Sequence, residues 1–279
     1  MRNYLGVMTA LGLTAAAHTS ALAGCNTQVG QTVVPELPYF IYEGLARINS
    51  EKDEFETSAA FNKRKADAEA AFARRDYIST VAPWTGSMQY DADLQKLKVS
   101  QYAWMLTSTG FRTIFVEGNK YGVPAVGFDT VTHGLGLEEI FVLGGSYIGT
   151  NVYGARTTVS SSNNKIYSVF DRVAKSGEET WQLDYGPSGK PTLEDYDPGG
   201  VYIDATPERA KALKETIQFA VEFTPKRPYT SEGADRISPT LQTPVSATSN
   251  VHTIFADIRC VLILDEERTV LRVVDVNYE

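Results

Sequence analysis

Cysteine and histidine are scarce in this chain, with two and three copies among 279 residues. Two cysteines exclude a disulfide-dense scaffold, which needs several pairs. Zinc sites group Cys and His at short spacing, and His133 and His252 stand far apart with no such cluster around them. Long apolar runs are also missing. The longest, Tyr4 to Ala17, is about 14 residues, too short to cross a bilayer as a permanent helix. Basic clusters interleaved with aromatics are absent, and the formal charge is −8. An acidic surface argues against nucleic acid or anionic lipid as the main partner.

The common catalytic and cofactor loops are absent as well. Gly134-Leu-Gly136-Leu-Glu-Glu139 lacks the third glycine of a dinucleotide loop, and no Gly-Lys-Ser/Thr exists for a phosphate loop. No cofactor is implied. Gly144-Gly-Ser146-Tyr-Ile-Gly149 resembles a hydrolase elbow only at its first glycine, because Ile148 stands where G-x-S-x-G requires glycine. A tight turn between strands accounts for these glycines better. Ser146 with His133 or His252 is kept as a weaker hydrolase alternative. His133, in Thr132-His-Gly-Leu-Gly, reads first as a loop histidine satisfied by water or backbone.

What is present begins at the N-terminus. Met-Arg-Asn, the short apolar run and then small residues make a signal peptide over 1–24, to be set aside before the fold is read. Ala21-Leu22-Ala23 fits cleavage after Ala23. Leu22-Ala23-Gly24-Cys25 resembles a lipobox, which implies lipid on Cys25 and cleavage before it. The two cleavages differ in consequence, since each buried methylene contributes about 0.8 kcal/mol and stable anchoring takes more than one chain. Asn26 after the cysteine favours the outer over the inner membrane.

Cys260 lies in Ile254–Leu264, where alternate residues Ile254, Ala256, Ile258, Cys260, Leu262 and Leu264 make one apolar face by strand period. It reads as a small core residue. A Cys25–Cys260 disulfide is the alternative, permitted in an oxidising compartment, and it excludes lipid on the same sulfur.

Residues 25–38 read as a tether with little structure, and 39–279 as one globular unit, or as two sub-domains divided near 184–200. Ser50-Glu-Lys-Asp53 resembles a capping box, and helix-forming composition predicts one long helix over about 50–75, with Phe61, Ala68 and Phe72 on one face. Met88–Val99 predicts a hairpin turning near Asp91–Gln95. Trp104–Leu106, Thr113–Glu117, Ile140–Leu143, Ala155–Val159 and Ile166–Phe170 predict further strands. A loop is expected around Gly144 to Gly149, and another at Ser160–Asn164. Residues 184–200 predict a long loop or hinge. Thr206-Pro207-Glu208 caps a short helix over about 207–214. Ile217–Phe223 alternates, 225–250 is proline-bearing without a period, and 254–276 closes as a hairpin. Strands in runs with two separated helices predict an α+β fold, β-rich and mostly antiparallel.

Two acidic segments are tested as cation sites. Asp91 and Asp93, and Glu194, Asp195 and Asp197, supply oxygens but not the full calcium ladder, so solvated turns are the first reading and the second segment a weak metal candidate. Loop tyrosines Tyr147, Tyr153, Tyr185 and Tyr196 suit a glycan or partner surface, or simply β-rich packing.

Four short segments, Phe55-Glu-Thr-x-x-x-Phe61-x-x-Arg64, Tyr90-Asp-Ala-Asp93, Asn151-Val-Tyr-Gly-Ala155 and Thr206-Pro-Glu-Arg-Ala210, resemble pieces of exported bacterial proteins and lipoproteins with no assigned activity. The resemblance implies no catalytic residue. The expectation is therefore a cell-envelope protein, membrane-anchored through Cys25 or periplasmic, with a non-enzymatic binding or structural role and with another envelope protein or a glycan as partner. The alternatives are a hydrolase using Ser146 and a carbohydrate or small-ligand binder using loop tyrosines.

Overall fold

The computed structural model describes residues 25–81, 88–100, 103, 113–116, 119–122, 134–170 and 200–275. It is an α+β fold, β-rich and mostly antiparallel. Three α-helices are described: α1 (Pro38–Asn49), α2 (Ser58–Ala68) and α3 (Pro207–Thr216). The strands are β1 (Tyr77–Val81), β2 (Met88–Asp91), β3 (Lys96–Ser100), β4 (Thr113–Val116), β5 (Asn119–Gly122), β6 (Gly134–Ile140), β7 (Leu143–Thr150), β8 (Arg156–Phe170), β9 (Gly200–Asp204), β10 (Gln218–Ile237), β11 (Val245–Leu264) and β12 (Val270–Asp275).

The main sheet runs β1-β10-β11-β8-β6, with β12 also on β11 and β7 also on β8. Among the described strands, only β11 and β8 pair in parallel. At one end of the sheet both faces are covered. Ile254, Ala256, Ile258, Val261 and Ile263 join the larger core with Ile41, Leu45, Phe219 and Phe223. Cys260, Leu262 and Leu264 join Val33, Ala220 and Val270 on the other side. The single alternating face read from the sequence is thus split. A register shift pairs Glu222 with Cys260 but Phe223 with Ile258. Arg259 is the extra residue, and a bulge of this kind moves every following side chain to the opposite face.

The single long helix over 50–75 is two helical pieces on a different footing. Pro38 at the first turn and Ile41, Leu45 and Ile48 at helical spacing make α1, which the composition did not single out. Thr57, not Ser50, caps α2 by accepting from Ala60 N, and a π-helical turn, Glu69–Ala73, ends it. Gly44 lets α1 meet that turn, because a Cβ there would lie 2.4 Å from Phe72 Cδ1. The short helix forms as expected at Pro207, with Thr206 accepting from Arg209 N.

The 88–99 hairpin is β2–β3, joined in one small sheet by β9. Other expectations need correction. Gly144–Gly149 is not a loop but lies within β7, and Ser160–Asn164 does not interrupt β8. The expected strand Ile140–Leu143 is split, with Phe141 and Val142 forming the break between β6, which ends at Ile140, and β7, which starts at Leu143. The proline-bearing 225–250 stretch holds the distal half of β10 and the start of β11. Short polar side chains serve there because this end of the sheet is largely solvent-facing, where periodicity carries no hydrophobic signal. Residues 184–199 of the expected long loop, the strand at Trp104–Leu106 and His133 lie outside the described residues, and Gly200 opens β9.

Residues 25–37 are not a loose tether. Gly30 N donates to Val270 O and Val270 N to Gln31 O, each at 2.8 Å, and Val33 N donates to Arg268 O at 3.0 Å. Glu36 N reaches Ile78 O at 2.7 Å, and Ser79 Oγ donates to Glu36 O at 2.9 Å. Val33 is buried on the second core face. The segment is a strap, covering an apolar surface that the sheet could not leave in water.

Candidate functional site

Two clusters bring chemically capable side chains together, and a third surface is exposed and apolar. The first cluster is the anchor of the strap. Cys25 and Cys260 form a disulfide with a Cα–Cα distance of 5.5 Å across 235 positions. Glu222, level with Cys260 on the neighbouring strand, is 1% exposed. Its Oε1 accepts from Asn26 N at 2.9 Å, and its Oε2 accepts from Thr27 N at 3.2 Å and Thr27 Oγ1 at 2.7 Å. Cys25 Sγ lies 3.2 Å from Oε2. A buried carboxylate is tolerated only when its lone pairs are satisfied, and here consecutive residues of the strap do so. Asn26 Nδ2 also donates to Asp76 Oδ2 at 2.7 Å, and Arg259 Nη2 sits 3.1 Å from Asp76 Oδ1. Lipid on Cys25, the sequence expectation, would occupy the sulfur that the structure joins to Cys260.

The second cluster is a row across the main sheet. Glu232 on β10 is level with His252 on β11, His252 with Tyr167 on β8, and Tyr167 with Glu138 on β6. Laterally paired residues share a face. Helix α1 lays Tyr42 against this row. Its ring is 4.8 Å from the His252 ring and 6.1 Å from that of Tyr167, while Tyr167 stacks on His252 at 5.0 Å. Tyr39 meets Tyr167 edge-on at 6.3 Å and is itself exposed. His252 Nδ1 is buried and, among the described residues, has no hydrogen-bond partner. Burial lowers the imidazole pKa, Lys165 adds to that, and Glu232 and Glu43 oppose it. Burial raises the pKa of both Tyr42 and Tyr167, with Glu43 adding to each. The row is therefore a neutral imidazole between two protonated phenols, with carboxylates at either end. Sequence reasoning named His252 but had no signal for its partners, which only strand register supplies.

The third surface is the β6–β7 edge. Phe141, Val142, Leu143, Tyr147, Ile148, Val152 and Tyr153 are all exposed, Leu143 by 77% and Tyr153 by 92%. No residue from Phe141 to Ala155 is charged. Within the described sheet β7 pairs only with β8, so it is an edge strand without the charges or proline that blunt such edges.

Among the described residues, Ser146 and His252 do not form a hydrolase dyad. Ser146 is level with Ser160 on β8, and His252 with Tyr167. Those positions are seven residues apart, about 23 Å along a strand. Gly134, the described neighbour of His133, is level with Phe170, ten residues from Ser160 and about 33 Å along the strand. Glu194, Asp195, Asp197, Tyr185 and Tyr196 lie outside the described residues. Asp91 is a turn residue: its Oδ1 accepts from Asp93 N and Leu94 N at 3.0 and 2.9 Å.

The four short segments of the resemblance each do a local structural job. Thr57 caps α2, Glu56 pairs with Arg64 at 2.9 Å, and Arg64 lies over Phe61. Tyr90 Oη ties β2 to Ala205 O at 3.0 Å. Asn151 Oδ1 closes the β7–β8 turn on Tyr153 N and Ala155 N, with Gly154 at φ 84°. Thr206 caps α3.

These features define a strap-closed, β-rich α+β protein with an open apolar sheet edge. The chain matches no family model, no curated protein and no solved structure.

Proposed function

We propose that this is an exported, non-enzymatic binding protein that takes an extended strand of a partner polypeptide along β7. The supporting observation is the uncharged, largely exposed run Phe141–Ala155 along β7, in a chain of which 22% of residues are charged. Exposed apolar patches of this kind mark interaction sites, and an open edge strand offers main-chain hydrogen bonds to an added strand. Tyr147 and Tyr153, read from the sequence as contact residues, both stand on this surface. The signal-like residues 1–24 and a disulfide at Cys25 support placement outside the cytoplasm, since structural disulfides persist in oxidising compartments. On this reading the cysteine closes the fold and does not anchor the protein to a membrane.

The test is cross-linking from a photoreactive residue at position 147 in cells, with the same residue at Glu266 as control. A polypeptide adduct specific to 147 supports the reading. Absence of any adduct at 147 in the native compartment overturns it.

A second reading has its own observation. The Nδ1 of His252, partnerless among the described residues and with its ring between those of Tyr42 and Tyr167, suits a small hydroxylated ligand donating to the imidazole. Chemical-shift changes at His252 on titration with neutral sugars would favour it over the edge.

A further inference from the structure

We propose that the strap anchor is a redox-switched cation site: oxidised it is the Cys25–Cys260 disulfide, and reduced it binds a thiophilic divalent cation such as zinc. The sulfurs of Cys25 and Cys260 and a carboxylate oxygen of Glu222 lie within 4.8 Å of one another. Thiolates bind zinc at about 2.3 Å and carboxylates at about 2.0–2.2 Å, so ligand atoms around one ion sit some 3.5–4 Å apart; the two sulfurs must part from bonding distance to reach this, and Glu222 already lies within 4.8 Å of both. Three protein ligands leave one position open to water. Glu222 and Cys260 are fixed by strand register, while Cys25 rides on the strap and is the sulfur free to move aside as the bond opens. Asn26 N and Thr27 hold the carboxylate from behind, as outer partners orient a ligating group.

A phosphine reductant takes up oxygen from water to become the phosphine oxide, and the S–S bond yields two thiols. Binding of the dication then releases the two thiol protons. Without the cation, the opened anchor leaves two thiols beside a buried carboxylate and loses the covalent hold on the strap. With it, the dication cancels the charge of the two thiolates, the single negative charge left is that of the carboxylate already hydrogen-bonded by Asn26 N and Thr27, and the strap stays docked.

The test uses the whole exported chain reduced with a water-soluble phosphine, with cobalt as spectroscopic probe and zinc as competitor. A thiolate-to-cobalt charge-transfer band that saturates at one equivalent and is displaced by zinc is expected. The band should vanish in Cys260→Ala and shift to weaker binding in Glu222→Gln. Because either variant can fail to fold, reduced wild-type protein alkylated at both thiols serves as a second control and should show no band. Hydrogen exchange across 28–36 should rise on reduction and fall again with zinc. A reduced protein whose spectrum is unchanged by cobalt, or whose band survives alkylation, overturns the proposal.

Discussion

Thr27 donates from its hydroxyl and from its amide to one carboxylate oxygen of Glu222, although 195 positions separate them. The hydroxyl bond, at 2.7 Å, is the shorter. Both residues are buried, Glu222 at 1% exposure. The N-terminal strap thus supplies polar partners that β10 cannot find within its own sheet.

Replacing Thr27 with Val removes that hydroxyl while keeping shape. One lost hydrogen bond to a buried charge costs about 1–3 kcal/mol. A denaturant titration should show a lower midpoint with an unchanged slope. An unchanged midpoint would mean that the strap is not docked in solution.

The disulfide closes a loop of 235 residues. Loop-closure entropy for so long a loop puts its contribution at the upper end of the usual range, about 3–5 kcal/mol. The double variant Cys25→Ser with Cys260→Ala should therefore melt well below the oxidised wild type, and adding reductant should shift the wild type towards it. Equal melting of oxidised and reduced wild type would argue that no such bond forms.

His252 is held below its ordinary value near 6.5 by burial. The unfolded chain then binds a proton more readily than the folded one as pH falls through 6.5. Stability should be full above that value and decline below it, until the folded imidazole also protonates. His252→Phe should flatten this part of the stability–pH curve, read by urea midpoints at several pH values. Burial also keeps Tyr42 and Tyr167 protonated into alkaline solution, so their absorbance change should come later than that of free tyrosine.

Tyr147→Lys places a charge on the uncharged β7 edge. Because Tyr147 is 48% exposed, melting should change by no more than about 0.5 kcal/mol. Capture of the partner polypeptide should drop sharply. Undiminished capture would move the interaction elsewhere on the surface.

Much of the covered end of the sheet was legible in sequence because burial writes a period there. Ile217–Phe223, the closing hairpin and the Thr206-Pro207 helix start all carry such signals. The distal sheet was not legible. Ser160–Asn164 and 230–237 are polar on both faces, so neither alternation nor loop composition separates strand from coil. Arg259 hid the face switch, because a bulge needs only one extra residue in an otherwise regular run. Of the candidate sites, Cys25, Cys260 and His252 were visible as residue types. Glu222 was hidden within an apolar strand, and only the pairing Glu222–Cys260 shows what surrounds it. The glycines around Ser146 misled because they read as a tight turn between strands, whereas β7 uses them within an extended strand.

The central claim is that the strap is clasped to the body through Cys25. Mass spectrometry of a non-reduced digest of the native exported protein addresses it most directly. The account expects a Cys25 peptide covalently joined to the Cys260 peptide, lighter than the free pair by two hydrogen atoms. A diacylglyceryl thioether on Cys25, or two free thiols, would contradict it.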